Sequence, residues 1–427
     1  MNYRQTVDFL YTKLPMFQKT GGAALKFNLQ NITTLLARLG NPHRQLRFIH
    51  VAGTNGKGSS AHMLASVLQQ AGYSTGLFTS PHLKSFTERI RIDGHEITET
   101  AVVEFVAEIM PLIDELQPSF FEITFAMAVH YFNRQQVAVA VIEVGMGGRL
   151  DSTNVITPEI CLITNIGYDH QQFLGTTLPQ IAAEKAGIIK PGVPVVISEY
   201  QEKVATVFTE KAAALQSELL FANQHLRLEV AAEGRYNVIS GERVLLEGVK
   251  PDLKGPYQLP NILGVVATLQ KLNETNAFAL DDTAIQQGLE NVVANTGLKG
   301  RWQVLGNKPL VIADTGHNLA GVKTLAASLA ALAYNRLHIV WGMVNDKEAG
   351  EILALLPPAA IYYFVRAAIP RAMSTAGLLS VAAELGLSGK AYGSVTGGYR
   401  AALTAAQPDD LVFVGGSTFV VAEIEDL

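Results

Sequence analysis

Phe48-Ile49-His50-Val51-Ala52-Gly53-Thr54-Asn55-Gly56-Lys57-Gly58-Ser59-Ser60-Ala61-His62-Met63-Leu64-Ala65 is the stretch on which the fold turns. An apolar β-rich run, a glycine-rich turn and a helix-forming run follow one another within it. That succession is the context a phosphate cradle needs. Glycines let backbone N–H groups turn inward onto phosphate oxygens, and a helix N-terminus adds partial positive charge. Lys57 supplies a full charge for the β- and γ-phosphates. The strict pattern G-x-x-x-x-G-K-[ST] is not met: Val51 stands at its first glycine, and Gly58 at its hydroxyl, with Ser59 one place later. The metal-binding hydroxyl is therefore expected from elsewhere. A plain strand-to-helix turn with a solvated lysine is the bland alternative, and three glycines around one lysine weigh against it.

On either side, short apolar runs alternate with helix-patterned segments. Strands are predicted at Arg47–Val51, Thr75–Phe78, Val137–Val144, Ile160–Asn165 and Pro194–Ser198, and helices at Ser59–Gln70, Glu99–Leu116 and Leu178–Ala186. The strand runs are apolar throughout, as in strands buried on both faces. This predicts an α/β fold, a doubly wound and mostly parallel sheet. Residues Leu219 to Val249 read as a small β excursion, with short runs at Leu226–Val230 and Arg243–Leu246 separated by turn residues. Helices are predicted at Gln258–Leu272 and Thr283–Val293. The polar stretch Asn295–Gly300 reads as a linker. A second α/β series follows, with strands at Leu310–Ala313, Leu337–Trp341, Ile361–Val365 and Leu411–Val414. The expected domains are residues 1–296, a P-loop domain, and 297–427, a Rossmann-like α/β domain.

The chain has 427 residues, 48% of them hydrophobic and 17% charged, with net charge −5. A charged share below the usual ~25% marks a compact globular protein. No long basic run occurs, which argues against nucleic acid as a partner. No apolar window reaches the length of a membrane span, about eighteen residues or more, and Met1–Leu14 lacks an apolar signal core. The single cysteine, Cys161, sits in an apolar run and reads as a buried strand residue. Scarce cysteine fits a reducing cytoplasm.

Several polar residues close predicted strands, where open α/β sheets place their ligands. Glu143 ends an apolar run and is followed by Gly145, Gly147 and Gly148. A carboxylate there is costly without a partner, and Mg²⁺ would offset that cost. Capping a helix or pairing with Arg149 would do so too. Asp169 and His170 follow the next strand. Ser80, in Thr79-Ser80-Pro81-His82, is either the missing hydroxyl or a turn serine. Lys185 ends a helix, where a lysine ordinarily complements the dipole.

Taken together, these residues resemble the folylpolyglutamate synthase/dihydrofolate synthase family, a branch of the Mur-ligase-like ATP-dependent ligases. The matching stretches run in family order from Lys26 to the C-terminus: Gly53–Ser59, Thr79–Leu83, Phe86–Ile90, Glu143–Asp151, Thr164–His170, Glu184–Gly187, Gly300–Trp302 and Asp314–Asn318. The resemblance implies ligation of L-glutamate to dihydropteroate, to a reduced folate or to both, through an acyl phosphate. It implies that Thr54, Asn55, Gly56, Lys57, Gly58, Ser59, Asn261, Arg301, Asp314 and His317 contact ATP. Ser80, Glu143, His170 and Lys185 would serve two Mg²⁺ sites, Lys185 as a CO2-derived carbamate. Lys57, His170 and Lys185 would be the catalytic set. Phe121, Glu122, Ile123, Thr124, Leu150, Asp151 and Ser152 would line the pterin side.

Leu319 follows Asn318 where the family often has proline. Fifty-two residues precede Gly53, fewer than a nucleotide-sugar domain needs, so a cell-wall substrate is not expected. A monomer acting in the cytoplasm is expected, with the two domains closing over the site to exclude water. The alternatives are a Mur-type ligase with another acid acceptor and a P-loop ATPase without ligation. A dehydrogenase is disfavoured, since no G-x-G-x-x-G follows the first strand of the second series.

Overall fold

The structure, a computed structural model, describes residues 1–16, 28–345 and 349–427. Lys26 lies outside the described residues. The chain divides into two compact units: Met1–Leu253 with Gln258–Gly297, and Lys254–Tyr257 with Leu298–Leu427.

The first unit holds β1 (Phe48–Ala52), β2 (Thr75–Phe78), β3 (Ile90–Ile92), β4 (His95–Glu96), β5 (Val139–Glu143), β6 (Ile160–Ile163), β7 (Val195–Ile197) and β8 (Leu219–Phe221), in the sheet order β4-β3-β2-β5-β1-β6-β7-β8. All neighbours from β2 to β8 pair in parallel, and the β2–β3 and β3–β4 pairs at one edge are antiparallel. Every residue of β1, β2, β5 and β6 is buried, Cys161 included, which is why these runs lack polar alternation. Two core clusters lie along one face of the sheet, that of Phe48, Ile142 and Ile163. One includes Phe125 and Phe132 of the helix Phe120–Arg134, and the other Ile181 and Phe208.

β1 lies between β5 and β6, with Val51 level with Glu143 on one side and Leu162 on the other. The chain leaves β1 for β2 on one side and later reaches β6 on the other. The strand order therefore reverses next to β1, the place where open α/β sheets bind their ligands. The glycine turn, Glu143 and Thr164 all lie at that edge.

Leu219–Phe221 departs from expectation. It pairs with β7 in parallel, Val195 with Leu219, and extends the main sheet instead of opening the excursion. Its short apolar run is as compatible with a sheet edge as with a hairpin. The excursion is a three-stranded antiparallel sheet of β9 (Leu226–Ala232), β10 (Arg235–Ser240) and β11 (Arg243–Val249). The helix expected over Thr283–Val293 is two, Asp282–Glu290 and Val292–Thr296, separated at Asn291.

The second unit carries β12 (Gln303–Asn307), β13 (Leu310–Ala313), β14 (Leu337–Trp341), β15 (Ile361–Phe364), β16 (Gly389–Ala391) and β17 (Leu411–Gly415), ordered β12-β13-β17-β14-β15-β16. Only β12 runs antiparallel. Its core includes Trp341, Phe364 and Phe413.

Gly288, in the helix Asp282–Glu290, meets the helix Lys57–Gln70. A Cβ there would stand 2.5 Å from the Cα of Val67. Gly288→Ala should lower unfolding stability by about 1–3 kcal/mol through overpacking. Denaturant unfolding of the variant beside wild type measures this, and an unchanged midpoint would contradict the contact.

Candidate active site at the carboxyl edge of the first sheet

The glycine turn is shaped by what lies against it. Gly53 has φ +141°, and a Cβ there would fall 1.8 Å from Thr164 Oγ1. Gly56 has φ +87°, and its Cβ would fall 2.2 Å from Asn261 Oδ1. Only glycine combines these torsions with this closeness. Thr164 Oγ1 donates to the Asn55 carbonyl at 2.5 Å. Asn165 accepts from both neighbouring amides, Thr54 N–H through its carbonyl at 2.8 Å and Asn55 N–H through Oδ1 at 3.0 Å. Thr54 Oγ1 accepts from Gly167 N–H at 3.0 Å. The β1 turn is thus moulded on the loop after β6.

The helix begins at Lys57, and its first i→i−4 bond runs from Ser60 N–H to the Gly56 carbonyl at 2.8 Å. The amides just before Ser60 have no partner within the helix, the condition for an anion cradle. Ser59 is buried and its Oγ accepts from Gln258 Nε2 at 3.1 Å, while Gln258 Oε1 accepts from Asn261 Nδ2 at 2.9 Å. Asn261 therefore stands against the turn, where the resemblance places an ATP contact.

Two lysines converge on one acceptor. Lys57 Nζ donates to the carbonyls of Gly53 at 3.1 Å and Thr54 at 3.0 Å. Lys185 Nζ, at the end of the helix Leu178–Ala186, donates to the same Gly53 carbonyl at 2.8 Å. Lys185 is buried. Desolvation, reinforced by the Lys57 cation, pulls its pKa down to about 7 against the opposing pull of Asp169 and Asp151.

Glu143, 4% exposed, accepts Ser80 N–H on Oε2 at 2.9 Å. Arg149 is engaged elsewhere, pairing with Glu184 at 2.9 Å. Glu143 and Ser80 thus bring a carboxylate and a hydroxyl-bearing residue together at the ends of β5 and β2. Among the described residues no three His, Cys, Asp or Glu side chains form a metal cage of their own. That donor set fits Mg²⁺, which is commonly held by one or two carboxylates plus substrate phosphates. His170, with φ +49°, precedes the short helix Gln171–Leu174, and its Nε2 lies 3.7 Å from Asp169 Oδ1.

The glycines after Glu143 permit close packing on the end of the Lys185 helix. A Cβ on Gly148 would lie 2.8 Å from the Glu184 carbonyl, and one on Gly187 2.4 Å from Arg149 Cα. A Cβ on Gly145 would meet the Phe121 ring at 2.5 Å. Asp151 is buried, and burial pushes its pKa up despite hydrogen bonds from Thr153 Oγ1 at 2.6 Å, Met146 N–H at 2.9 Å and Thr153 N–H at 3.0 Å. Leu150 and Ser152 flank it, half-buried. The remaining residues of the pterin-side set are turned to structural work. Glu122 completes the capping box of its helix, accepting Ser119 N–H at 2.7 Å. Ile123 is core, and Thr124 Oγ1 bonds back to the Phe120 carbonyl at 2.7 Å.

Arg301, Asp314 and His317 lie in the second unit. Asp314 is buried at the end of β13 and accepts Trp302 N–H and Gly316 N–H, each at 2.8 Å, and the Tyr257 hydroxyl. Burial raises its pKa against Tyr257 and the Arg301 guanidinium. Arg301 donates to Thr315 Oγ1 and to the Gly300 carbonyl. The exposed His317 donates from Nδ1 to the Thr315 carbonyl at 3.1 Å. Leu319 opens the helix Leu319–Ala330 behind its cap Asn318. Proline is well tolerated at that first position, so leucine leaves the cap intact.

Asn165, Thr164, Gln258 and Tyr257 were not among the expected site residues. Gln258 lies three residues before Asn261 on one helix face. Thr164 and Asn165 lie in a quoted motif, yet nothing local says their side chains fold back onto β1.

Residues 51–269 match the Mur ligase middle domain, and residues 300–418 match the Mur ligase glutamate ligase domain. Fold and site therefore define a Mur-type, ATP-dependent ligase. The folylpolyglutamate synthase of Lacticaseibacillus casei is 33% identical over 439 residues, covering 99% of this chain and 98% of that protein. A Haloferax volcanii protein named a probable bifunctional folylpolyglutamate synthase/dihydropteroate synthase is 35% identical over 99% of this chain, which spans 50% of its length. Escherichia coli FolC in complex with DHPP and ADP superposes with TM-score 0.87 at 29% identity, covering 99% of this chain and 96% of that one. A bifunctional folylpolyglutamate synthase/dihydrofolate synthase with Mn, AMPPNP and L-glutamate bound gives 0.85 at 29% identity, covering 99% and 97%. This chain belongs to the folylpolyglutamate synthase/dihydrofolate synthase family.

The depressed Lys185 pKa has a stability consequence. Between about pH 7 and the unfolded value near 10.4 the unfolded chain binds the extra proton, so stability rises with pH across that window. Lys185→Met should flatten that rise, measured by urea unfolding at pH 7 and pH 9. An equal slope in both proteins would mean Lys185 keeps an ordinary pKa.

Proposed function

We propose that this chain transfers the γ-phosphoryl group of ATP to a carboxylate of dihydropteroate, of a reduced folate or of both, and joins L-glutamate to the activated acid. The observation that carries this is the convergence of Lys57 and Lys185 on the Gly53 carbonyl, beside a strand that ends in the buried Glu143. The Lys57 cation at a glycine turn suits a polyphosphate, and a buried carboxylate suits the metal that travels with it. The relatives' names, and the ADP, AMPPNP, Mn, DHPP and L-glutamate bound in solved relatives, support the same substrates.

In this proposal Thr54, Asn55, Gly56, Gly58 and Ser59 cradle the phosphates, and Asn261 fixes the nucleotide against the turn. Lys57 leaves the loop carbonyls to neutralise the transferred charge. Arg301, Asp314 and His317 supply further ATP contacts. Ser80 and Glu143 would hold one Mg²⁺, with His170 and Lys185 serving a second. The metal, when bound, neutralises phosphate charge and lowers the barrier to transfer. A carboxylate oxygen of the acid attacks the γ-phosphorus, forming an acyl phosphate and releasing ADP. The glutamate amine then adds to the acyl carbon and phosphate leaves, with one proton released. Phe121, Leu150, Asp151 and Ser152 would line the pterin side, with Glu122, Ile123 and Thr124 shaping the helix behind it. One chain is taken as the active unit, acting in the cytoplasm.

Lys185 fits a second chemical role. A pKa of about 7 leaves a large neutral fraction at neutral pH. The neutral amine can attack CO2, losing a proton to give a carbamate that carries negative charge toward the metal.

ADP release should require L-glutamate together with dihydropteroate or tetrahydrofolate, and should be negligible with ATP alone. ADP release without any acid would point to a simple ATPase. Lys57→Ala should lower kcat by about 10²–10³-fold with the fold intact, and near-normal turnover would refute the cradle. Lys185→Ala should lose activity that formate or acetate partly restores. Full activity without such rescue would remove the carbamate.

A further inference from the structure

A cation with no role in the chemistry above is buried close to it. Arg89 is 3% exposed, and its guanidinium carbon lies 5.2 Å from the centre of the Phe120 ring. Its Nε–H donates to His82 Nδ1 at 2.7 Å. A guanidinium can only donate, so Nδ1 is the acceptor and the ring proton sits on Nε2, facing the Tyr11 hydroxyl at 3.1 Å. The ring is therefore held in one tautomer and one orientation by partners on both sides. Burial, with the Arg89 cation beside it, keeps His82 neutral.

The backbone repeats the attachment. Thr79 N–H donates to the Arg89 carbonyl at 3.0 Å. Just beyond, Glu88 accepts the N–H groups of Leu83 at 2.7 Å and of Lys84 and Ser85 at 2.9 Å. Residues 79–85 are thus fastened at both ends to the segment Phe86–Arg89. Between the fastenings sits Ser80, whose N–H holds Glu143 at 2.9 Å. The Arg89 charge is also attracted to Glu143. Burying a guanidinium against a neutral imidazole is costly, and that placement is explained if the loop it holds must stay in place.

We propose that Arg89 is a positioning residue for the metal site: acting through His82, it sets the loop that presents Ser80 and orients Glu143. This rests on the ligase proposal above, in which Ser80 and Glu143 hold the metal. Charge alone is not enough. Lysine would keep the cation but lose the planar fork whose Nε–H reaches the imidazole.

The test is Mn²⁺ binding followed by electron paramagnetic resonance, with a non-hydrolysable ATP analogue present, on the full chain and on Arg89→Met, Arg89→Lys, His82→Leu, His82→Gln and Glu143→Ala. Arg89→Met, Arg89→Lys and His82→Leu should each weaken Mn²⁺ binding about 10- to 100-fold, the range for partners that orient metal ligands. The Mg²⁺ needed for half-maximal turnover should rise in parallel. Nucleotide affinity measured in EDTA should stay within about twofold of wild type. His82→Gln keeps an acceptor for Arg89 and should fall between wild type and His82→Leu. Wild-type Mn²⁺ affinity in Arg89→Met would overturn the proposal. So would full recovery in Arg89→Lys, which would make the role one of charge alone. A parallel loss of metal-free nucleotide affinity would also overturn it, since that marks general damage to the unit. Glu143→Ala separates the two levels. If it leaves Mn²⁺ binding intact, the metal assignment falls and this proposal with it. If it weakens binding while Arg89→Met does not, only the role of Arg89 falls.

Discussion

The Gly53 carbonyl accepts hydrogen bonds from Lys57 and Lys185 together, and most of the site follows from that crowding. Two unit charges ~4 Å apart interact by roughly 4 kcal/mol at an effective dielectric near 20. Two ammonium groups sharing one oxygen therefore strain each other. Burial, and after it the Lys57 cation, pulls the Lys185 pKa down to about 7, so that it gives up its charge for much of the time. Asp169 and Asp151 supply opposite charge. An arriving polyphosphate would supply the rest, since it brings the charge this arrangement lacks. The site thus suits an anion, whose binding would relieve repulsion already present.

That crowding constrains the backbone around it. Gly53 must bring its carbonyl to two side chains while its own Cα lies against Thr164. A side chain at that position would collide with the β6 loop, and its φ of +141° is open to glycine alone. The Lys185 helix must in turn come close enough to reach. Gly148 and Gly187 make this possible by removing the Cβ atoms that would separate Arg149 from Glu184 and Lys185. Gly148 and Gly187 thus serve one purpose: they bring a lysine on a different helix within hydrogen-bonding distance of the turn after β1.

This explains which parts were legible in the sequence. The parallel sheet announced itself because β1, β5 and β6 are buried on both faces and their runs are apolar throughout. The glycine turn was legible because its glycines, lysine and helix start are consecutive. Leu219–Phe221 was misplaced because three apolar residues carry too little periodicity to distinguish a sheet edge from a hairpin. Lys185 looked ordinary in isolation, because a lysine at a helix end has a sufficient local explanation. Its burial and its shared acceptor arise from contacts across 132 positions of sequence, which only the fold brings together. Asn165 was hidden for the same reason, since its carbonyl and amide oxygen brace a loop more than a hundred residues earlier.

The stretch behind Glu143 follows the same logic one layer out. A buried carboxylate proposed to hold a metal is a liability while no ion is bound, so its rotamer has to be held by something other than the ion. Ser80 N–H does this directly, but a single backbone bond from a loop is only as fixed as the loop. The fastenings at Thr79, His82 and Leu83–Ser85 remove that freedom, and they draw on Tyr11 of the N-terminal helix as well as on Arg89 and Glu88. Preorganisation of this kind costs stability, because it buries an arginine and a neutral histidine in a small volume. Under the proposed function it returns that cost in geometry, because the carboxylate would not have to reorganise when phosphate and metal enter.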